Sequence, residues 1–173
     1  MKIKHINGFS LLEAVVYTGI SSIVLLTVVS YVFWMDESES KSKASRETSE
    51  NAKYAMEILG YEIRGATSIY TPTTTPTQLS LETKQHLPEG ETFSFVDFYI
   101  CEDRLCMKKD GTAPVFLTSE SIHIENLSFE ILGGDTENDS VTVSFDAVYA
   151  NYPGVPDNYS RAGIKSSFSI RSY

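Results

Sequence analysis

Few side chains in this sequence have the types and spacing that catalysis or metal binding requires. The three histidines, His5, His86 and His123, lack the short spacing of a metal-ligand set. The sequence contains no nucleophile elbow, phosphate-binding loop or dinucleotide-binding glycine pattern. We therefore expect a protein that is not an enzyme and that needs no cofactor.

One acidic stretch is a weak candidate for calcium binding. Asp135, Glu137 and Asp139 alternate with other residues after a Gly-Gly pair, and carboxylate oxygens are ligands that Ca²⁺ prefers. Ser140 stands where an EF-hand loop would need glycine, and a strand-like segment begins at once. A solvated hairpin turn rich in Gly, Asp and Asn is the favoured interpretation, so we predict no metal site.

The two cysteines, Cys101 and Cys106, flank four residues between strand-like segments. A four-residue hairpin loop would place them opposite each other, within disulfide range. Two reduced thiols on the hairpin are the alternative. Because a disulfide would close only a small loop, it should rigidify the hairpin tip more than it stabilises the fold.

An apolar run extends from residue 9 to residue 35, with Glu13 as its one charge and no proline. As a helix it would be roughly 40 Å long at about 1.5 Å per residue, longer than the ~30 Å hydrocarbon core of a bilayer. Lys2 and Lys4 precede it and acidic residues follow, so the positive-inside rule predicts a cytoplasmic N-terminus and an extracytoplasmic remainder. An ordinary signal peptide is disfavoured, because the run is too long and no small-residue cleavage site follows it.

Glu13 lies one helical turn after Phe9, and a carboxylate inside an apolar helix usually has a partner. A cut between Gly8 and Phe9 would create an α-amino group at the membrane depth of Glu13. That positive amine would be a suitable partner, within one chain or between neighbouring chains. The alternative is a carboxylate that reaches the membrane surface unaided.

The segment from Asn7 to Glu13, NGFSLLE, followed by the apolar run, closely resembles the class III signal of type IV pilins and pseudopilins. The resemblance implies that a prepilin peptidase cleaves after Gly8 and methylates Phe9, and that Glu13 neutralises the amine of a neighbouring subunit. It also implies partners: other pilin or pseudopilin subunits, bound through the N-terminal helix, and an inner-membrane assembly platform. Many major pilins have a proline in this helix, which this sequence lacks.

The sequence predicts an α+β fold in four segments. They are a leader peptide (1–8), a transmembrane or filament-core helix (9–35), an extracytoplasmic continuation of that helix (36–66) and a β-rich globular head (67–173). The second half of the helix has an apolar stripe that should pack on an antiparallel sheet. The stripe consists of Ala52, Ala55, Met56, Leu59 and Ile63.

Within the head, alternating apolar and polar residues predict the strands. The predicted strands are 93–100, 122–131, 141–149 and 164–171, with a short strand beginning near Leu79 and Leu81. Residues 93–100 are apolar on both faces, so we expect them at the centre of the sheet. The apolar phase changes near Glu125-Asn126, which predicts a β-bulge.

The sequence-based hypothesis is a structural minor pilin or pseudopilin of a type IV pilus, type II secretion or competence system. Residues 124–130, before a Gly-Gly turn, resemble J-type pseudopilins and W-type minor pilins, which help form the initiating tip complex. A major pilin is less favoured. The alternative from another class is a single-pass membrane-anchored binding or adhesion domain that does not polymerise. A formal net charge of −9 repels phosphate, so we expect no nucleic-acid partner.

Overall fold

The computed structural model describes residues 10–85, 87, 90–133, 140–149 and 160–170. Within these ranges one helix is followed by eight strands, which confirms the α+β class. The elements are α1 (Leu11–Gly65), β1 (Ser68–Ile69), β2 (Leu79–Thr83), β3 (Ser94–Cys101), β4 (Arg104–Lys109), β5 (Val115–Phe116), β6 (Ile122–Leu132), β7 (Ser140–Tyr149) and β8 (Arg161–Ser169). The chain divides into two units, Met1–Ser40 and Lys41–Tyr173, which we describe separately.

In the second unit, α1 presents its apolar stripe to the core. The five predicted stripe residues are all buried and belong to one hydrophobic cluster with side chains of the strands. The helix ends at Gly65, where the amide of Ala66 donates to the carbonyl of Ile63 and tightens the last turn. The prediction that this half of the helix packs on a sheet is therefore confirmed.

The described residues of the head form two antiparallel sheets, whereas the sequence predicted one. The five-stranded sheet has the order β1-β2-β3-β4-β5, and the three-stranded sheet has the order β6-β7-β8. Alternation with a period of two marks a strand and its inner face but does not encode the pairing partner, which explains the difference. The central position of β3 and the start of β2 at Leu79 are as predicted.

The predicted bulge lies in β6. The register between β6 and β7 shifts between Glu125 and Ser128, and Asn126 has a positive φ of 52°. An extra residue in one strand reverses the side-chain phase, which is the change that the apolar pattern showed. Beyond the bulge, Phe129 and Ile131 pair with Val143 and Val141.

The helix packs tightly against the three-stranded sheet at Gly60. A Cβ atom at this position would lie 2.5 Å from Cε1 of Phe168, near the end of β8. Gly60 and Phe168 are both buried. A side chain at residue 60 would therefore have to displace a packed aromatic ring.

Candidate functional site

The described part of the apolar run, Leu11–Met35, is helical and exposed throughout. It contains 25 residues, and none of them is buried in the structure. At about 1.5 Å per residue the segment exceeds the ~30 Å thickness of a bilayer core. It is long and apolar enough to cross a membrane.

Hydroxyl side chains within this segment donate hydrogen bonds to backbone carbonyls of the preceding helical turn. Thr18 Oγ1 donates to the carbonyl of Ala14 at 2.8 Å, and Ser22 Oγ donates to the carbonyl of Thr18 at 2.7 Å. Thr27 Oγ1 donates in the same way to Val24 at 2.7 Å. Because their hydrogens are already bonded, these side chains can enter hydrocarbon at low cost. Our sequence reasoning missed this feature, although serine and threonine in an apolar helix commonly bond in this way.

Glu13 lies in the first turn of α1 and is exposed. At this position a carboxylate interacts favourably with the positive end of the helix dipole. Gly8 and Phe9, where cleavage and methylation are predicted, lie outside the described residues. The structure therefore gives the position of the predicted carboxylate in the helix but not of the amine that it would neutralise.

In the head, Cys101 and Cys106 form a disulfide with their Cα atoms 5.9 Å apart. The predicted four-residue loop is wrong, because Cys101 pairs with Arg104 and only Glu102 and Asp103 form the turn. Cys106 is opposite Tyr99, so the disulfide is diagonal across the hairpin. Both cysteines lie on the same face of the sheet, which allows this diagonal link.

The shorter loop results from the backbone conformation of its two residues. Glu102 and Asp103 have positive φ angles of 49° and 59°. Two successive residues of this kind form a type I′ turn, whose twist matches that of the strands on either side. Glycine usually fills the second position of such a turn, so the Glu-Asp sequence did not indicate it.

The weak calcium candidate, Asp135, Glu137 and Asp139, lies outside the described residues. In the part of the chain that the structure describes, no group of three or more His, Cys, Asp or Glu side chains is placed to hold a metal ion. His123 Nδ1 lies 3.9 Å from a carboxylate oxygen of Asp103 at the hairpin tip.

A polar cluster crosses β6, β7 and β8 beside the bulge. Asp146 Oδ2 accepts a hydrogen bond from Arg161 Nη2 at 2.6 Å and another from Asn126 Nδ2 at 2.8 Å. Arg161 Nη1 also lies 3.5 Å from Glu125 Oε2. The pKa of Asp146 is lowered below its usual value. The hydrogen bond from Arg161 is the largest cause, and the hydrogen bond from Asn126 is the second largest. Our sequence reasoning found the bulge but not the cluster.

Polar contacts among the described residues tie α1 to the strands and loops of the head, and Ser119 Oγ donates one of them to Glu47 Oε1 at 3.3 Å. Glu62, only 7% exposed, lies on the helix and forms a 2.8 Å ion pair with Lys109 at the end of β4. Asn51 Oδ1 accepts a hydrogen bond from the amide of Ser119 at 2.9 Å. Each pair joins residues far apart in the sequence, so no spacing could have predicted them. These contacts position the helix and have no evident chemical role.

No family model matches the chain, and neither a curated protein nor a solved structure matches it.

Proposed function

We propose that this chain is a structural subunit of a type IV pilus or of a type II secretion or competence pseudopilus. In this proposal a prepilin peptidase cleaves it after Gly8, and the subunit takes a place in the initiating or tip complex. One observation carries the proposal: an exposed apolar helix, Leu11–Met35, begins within the sequence NGFSLLE (residues 7–13) and has Glu13 in its first turn.

The proposed assembly follows from the exposure of this helix. In a bilayer, its apolar side chains contact lipid tails, so burial against another helix gains little there. Once the subunit is extracted, the same side chains would face water unless other subunits covered them. Covering apolar surface contributes roughly 25 cal/mol per Å², which favours bundling of such helices in a filament core.

Glu13 would set the axial position of each helix in that bundle. An acidic side chain deep in an apolar environment costs roughly 2.5–3.5 kcal/mol when it has no partner. After cleavage, the new α-amino group of a neighbouring subunit would offset this cost by pairing with the carboxylate. A subunit that has this carboxylate can lie beneath another subunit, whose amine it receives.

The head supports a structural role in an oxidising compartment. It is an α+β body with the Cys101–Cys106 disulfide in one of its hairpins, and such bonds form and persist outside the cytoplasm. Residues 124–130, which carry the resemblance to J-type pseudopilins and W-type minor pilins, lie within β6. That resemblance is the basis for proposing the tip complex.

Substitution of Glu13 in the native host tests the proposal. We expect Glu13→Ala to lower recovery of the chain in filaments, or in cross-linked subunit complexes extracted from membranes, by at least tenfold. Glu13→Asp keeps the charge and should retain most of the assembly. Glu39→Ala is the matched control, because it removes an exposed carboxylate of α1 outside the apolar segment.

Wild-type recovery of Glu13→Ala would contradict the role proposed for this carboxylate. An unsubstituted chain found only as an isolated membrane protein would favour the alternative, a single-pass anchored binding or adhesion domain.

A further inference from the structure

The tip of the β3–β4 hairpin is bonded through its backbone to β6 in the other sheet. The carbonyl of Asp103 accepts a hydrogen bond from the amide of Ile124 at 2.7 Å. Ile124 is 4% exposed, so water could not easily replace this acceptor. The turn that contains Asp103 therefore contributes a bond between the two sheets.

This turn has an unfavourable local conformation. Glu102 and Asp103 both adopt positive φ, which side chains other than glycine disfavour. A longer or differently twisted loop would suit a Glu-Asp sequence better and would move the Asp103 carbonyl. The surrounding structure must therefore hold the turn in place.

Several interactions beside the turn can hold it. Arg104 Nη2 lies 3.4 Å from Glu102 Oε2, and His123 Nδ1 lies 3.9 Å from Asp103 Oδ2. The Cys101–Cys106 disulfide joins the two strands at the base of the turn. The guanidinium carbon of Arg104, the residue that follows the turn, lies 3.4 Å from the ring centroid of Phe116. The disulfide is the covalent interaction among these and the one that a change in redox conditions would remove.

We propose that the Cys101–Cys106 disulfide is a redox-sensitive lock that holds the Glu102-Asp103 turn and thereby keeps the Asp103 carbonyl on the Ile124 amide. A dithiol reductant would open it by thiol–disulfide exchange. The S–S bond breaks, two protons and two electrons pass to the cysteine sulfurs, and the reductant closes into its own disulfide. The turn then relaxes and the two sheets lose this bond. The proposal does not depend on the assembly function.

Amide hydrogen exchange of the full chain in detergent tests the lock. NMR would follow the Ile124 amide before and after reduction with dithiothreitol, with reduction verified by the mass of the alkylated protein. We expect exchange of the Ile124 amide to accelerate at least tenfold. The matched control is the Phe129 amide, which lies on the same strand, is similarly buried and donates to the carbonyl of Pro76 at 2.8 Å. It should accelerate less than threefold.

The variant Glu102→Asn/Asp103→Gly distinguishes the effect of the turn conformation on Ile124 exchange from any other effect of breaking the disulfide. Asn-Gly adopts the type I′ turn readily, so after reduction this variant should keep the slow Ile124 exchange of the oxidised protein. Three results would overturn the proposal. They are unchanged exchange at Ile124 in fully reduced wild-type protein, equal acceleration at Ile124 and Phe129, and loss of protection in the reduced Asn-Gly variant.

Discussion

At the scale of single residues, two ion pairs of this protein have the same length but differ in how deeply their side chains are buried. Arg46 and Glu50 form a 2.8 Å pair on the surface of α1, with side chains 80% and 63% exposed. Glu62 and Lys109 are the same distance apart, but their side chains are 7% and 27% exposed. Exposed pairs contribute little to stability, whereas removing one partner of a buried pair leaves an uncompensated charge.

We predict that Lys109→Met lowers the free energy of unfolding by about 2 kcal/mol, because it leaves the Glu62 carboxylate buried without its partner. Urea unfolding of the detergent-solubilised chain, followed by circular dichroism, measures the change. Arg46→Met is the control and should have little effect. The double variant Lys109→Met/Glu62→Met should regain most of the loss, and failure to regain it would show that the charge pair is not the cause.

The polar cluster at the bulge gives a prediction for pH. The pKa of Asp146 is lowered in the folded protein from an ordinary value of 3.8, through its hydrogen bonds with Arg161 and Asn126. A lowered folded pKa means that the carboxylate stabilises the fold fully above pH 3.8 and that this contribution is lost as the pH falls through the folded pKa.

Asp146→Asn should therefore make the free energy of unfolding fall less steeply with acidification below about pH 4. Urea unfolding at a series of pH values measures both slopes. Identical slopes for the variant and the wild-type protein would contradict the stabilising role of the Asp146 carboxylate.

At the scale of elements, the close packing of α1 against β8 depends on the absence of a side chain at Gly60. Alanine is favoured over glycine inside a helix by about 1 kcal/mol, yet a Cβ at residue 60 would collide with the buried Phe168 ring. Overpacking of this kind costs about 1–3 kcal/mol. The steric term should therefore exceed the gain in helix propensity.

We predict that Gly60→Ala destabilises the head by about 1 kcal/mol and that adding Phe168→Leu restores part of the loss. Thermal unfolding of the full chain measures both effects. Gly19→Ala is the control within the same helix, because a Cβ there meets nothing within 4 Å. It should leave unfolding of the head unchanged. A stabilised Gly60→Ala variant would show that the ring moves aside without cost.

The sequence predicted those features of the fold that depend on residues close together in the chain. The stripe from Ala52 to Ile63, the central strand β3 and the bulge near Asn126 each leave a periodic signal in a short stretch of sequence. The split into two sheets, the Glu62–Lys109 pair and the Asp146 cluster depend on residues distant in sequence, which periodicity cannot relate. The two-residue turn was missed because Glu102 and Asp103 take a conformation that their residue types disfavour.

At the scale of the whole molecule, the two units have different surfaces. The helix segment Leu11–Met35 exposes apolar side chains along its length, whereas the head encloses a hydrophobic core between α1 and its strands. A soluble domain alone would have no reason to carry such a segment, and a simple anchor would not need the NGFSLLE sequence at its start. The subunit that we propose, stored in a membrane and later assembled, would account for both.

Processing at the N-terminus tests this account most directly. Intact-mass and N-terminal peptide analysis of the protein from native membranes would show where the mature chain begins. We predict a chain that starts at Phe9 and is heavier by one methyl group, as cleavage after Gly8 and methylation require. A chain that starts at Met1 and carries no methyl group would contradict the proposal and would favour the plain membrane anchor.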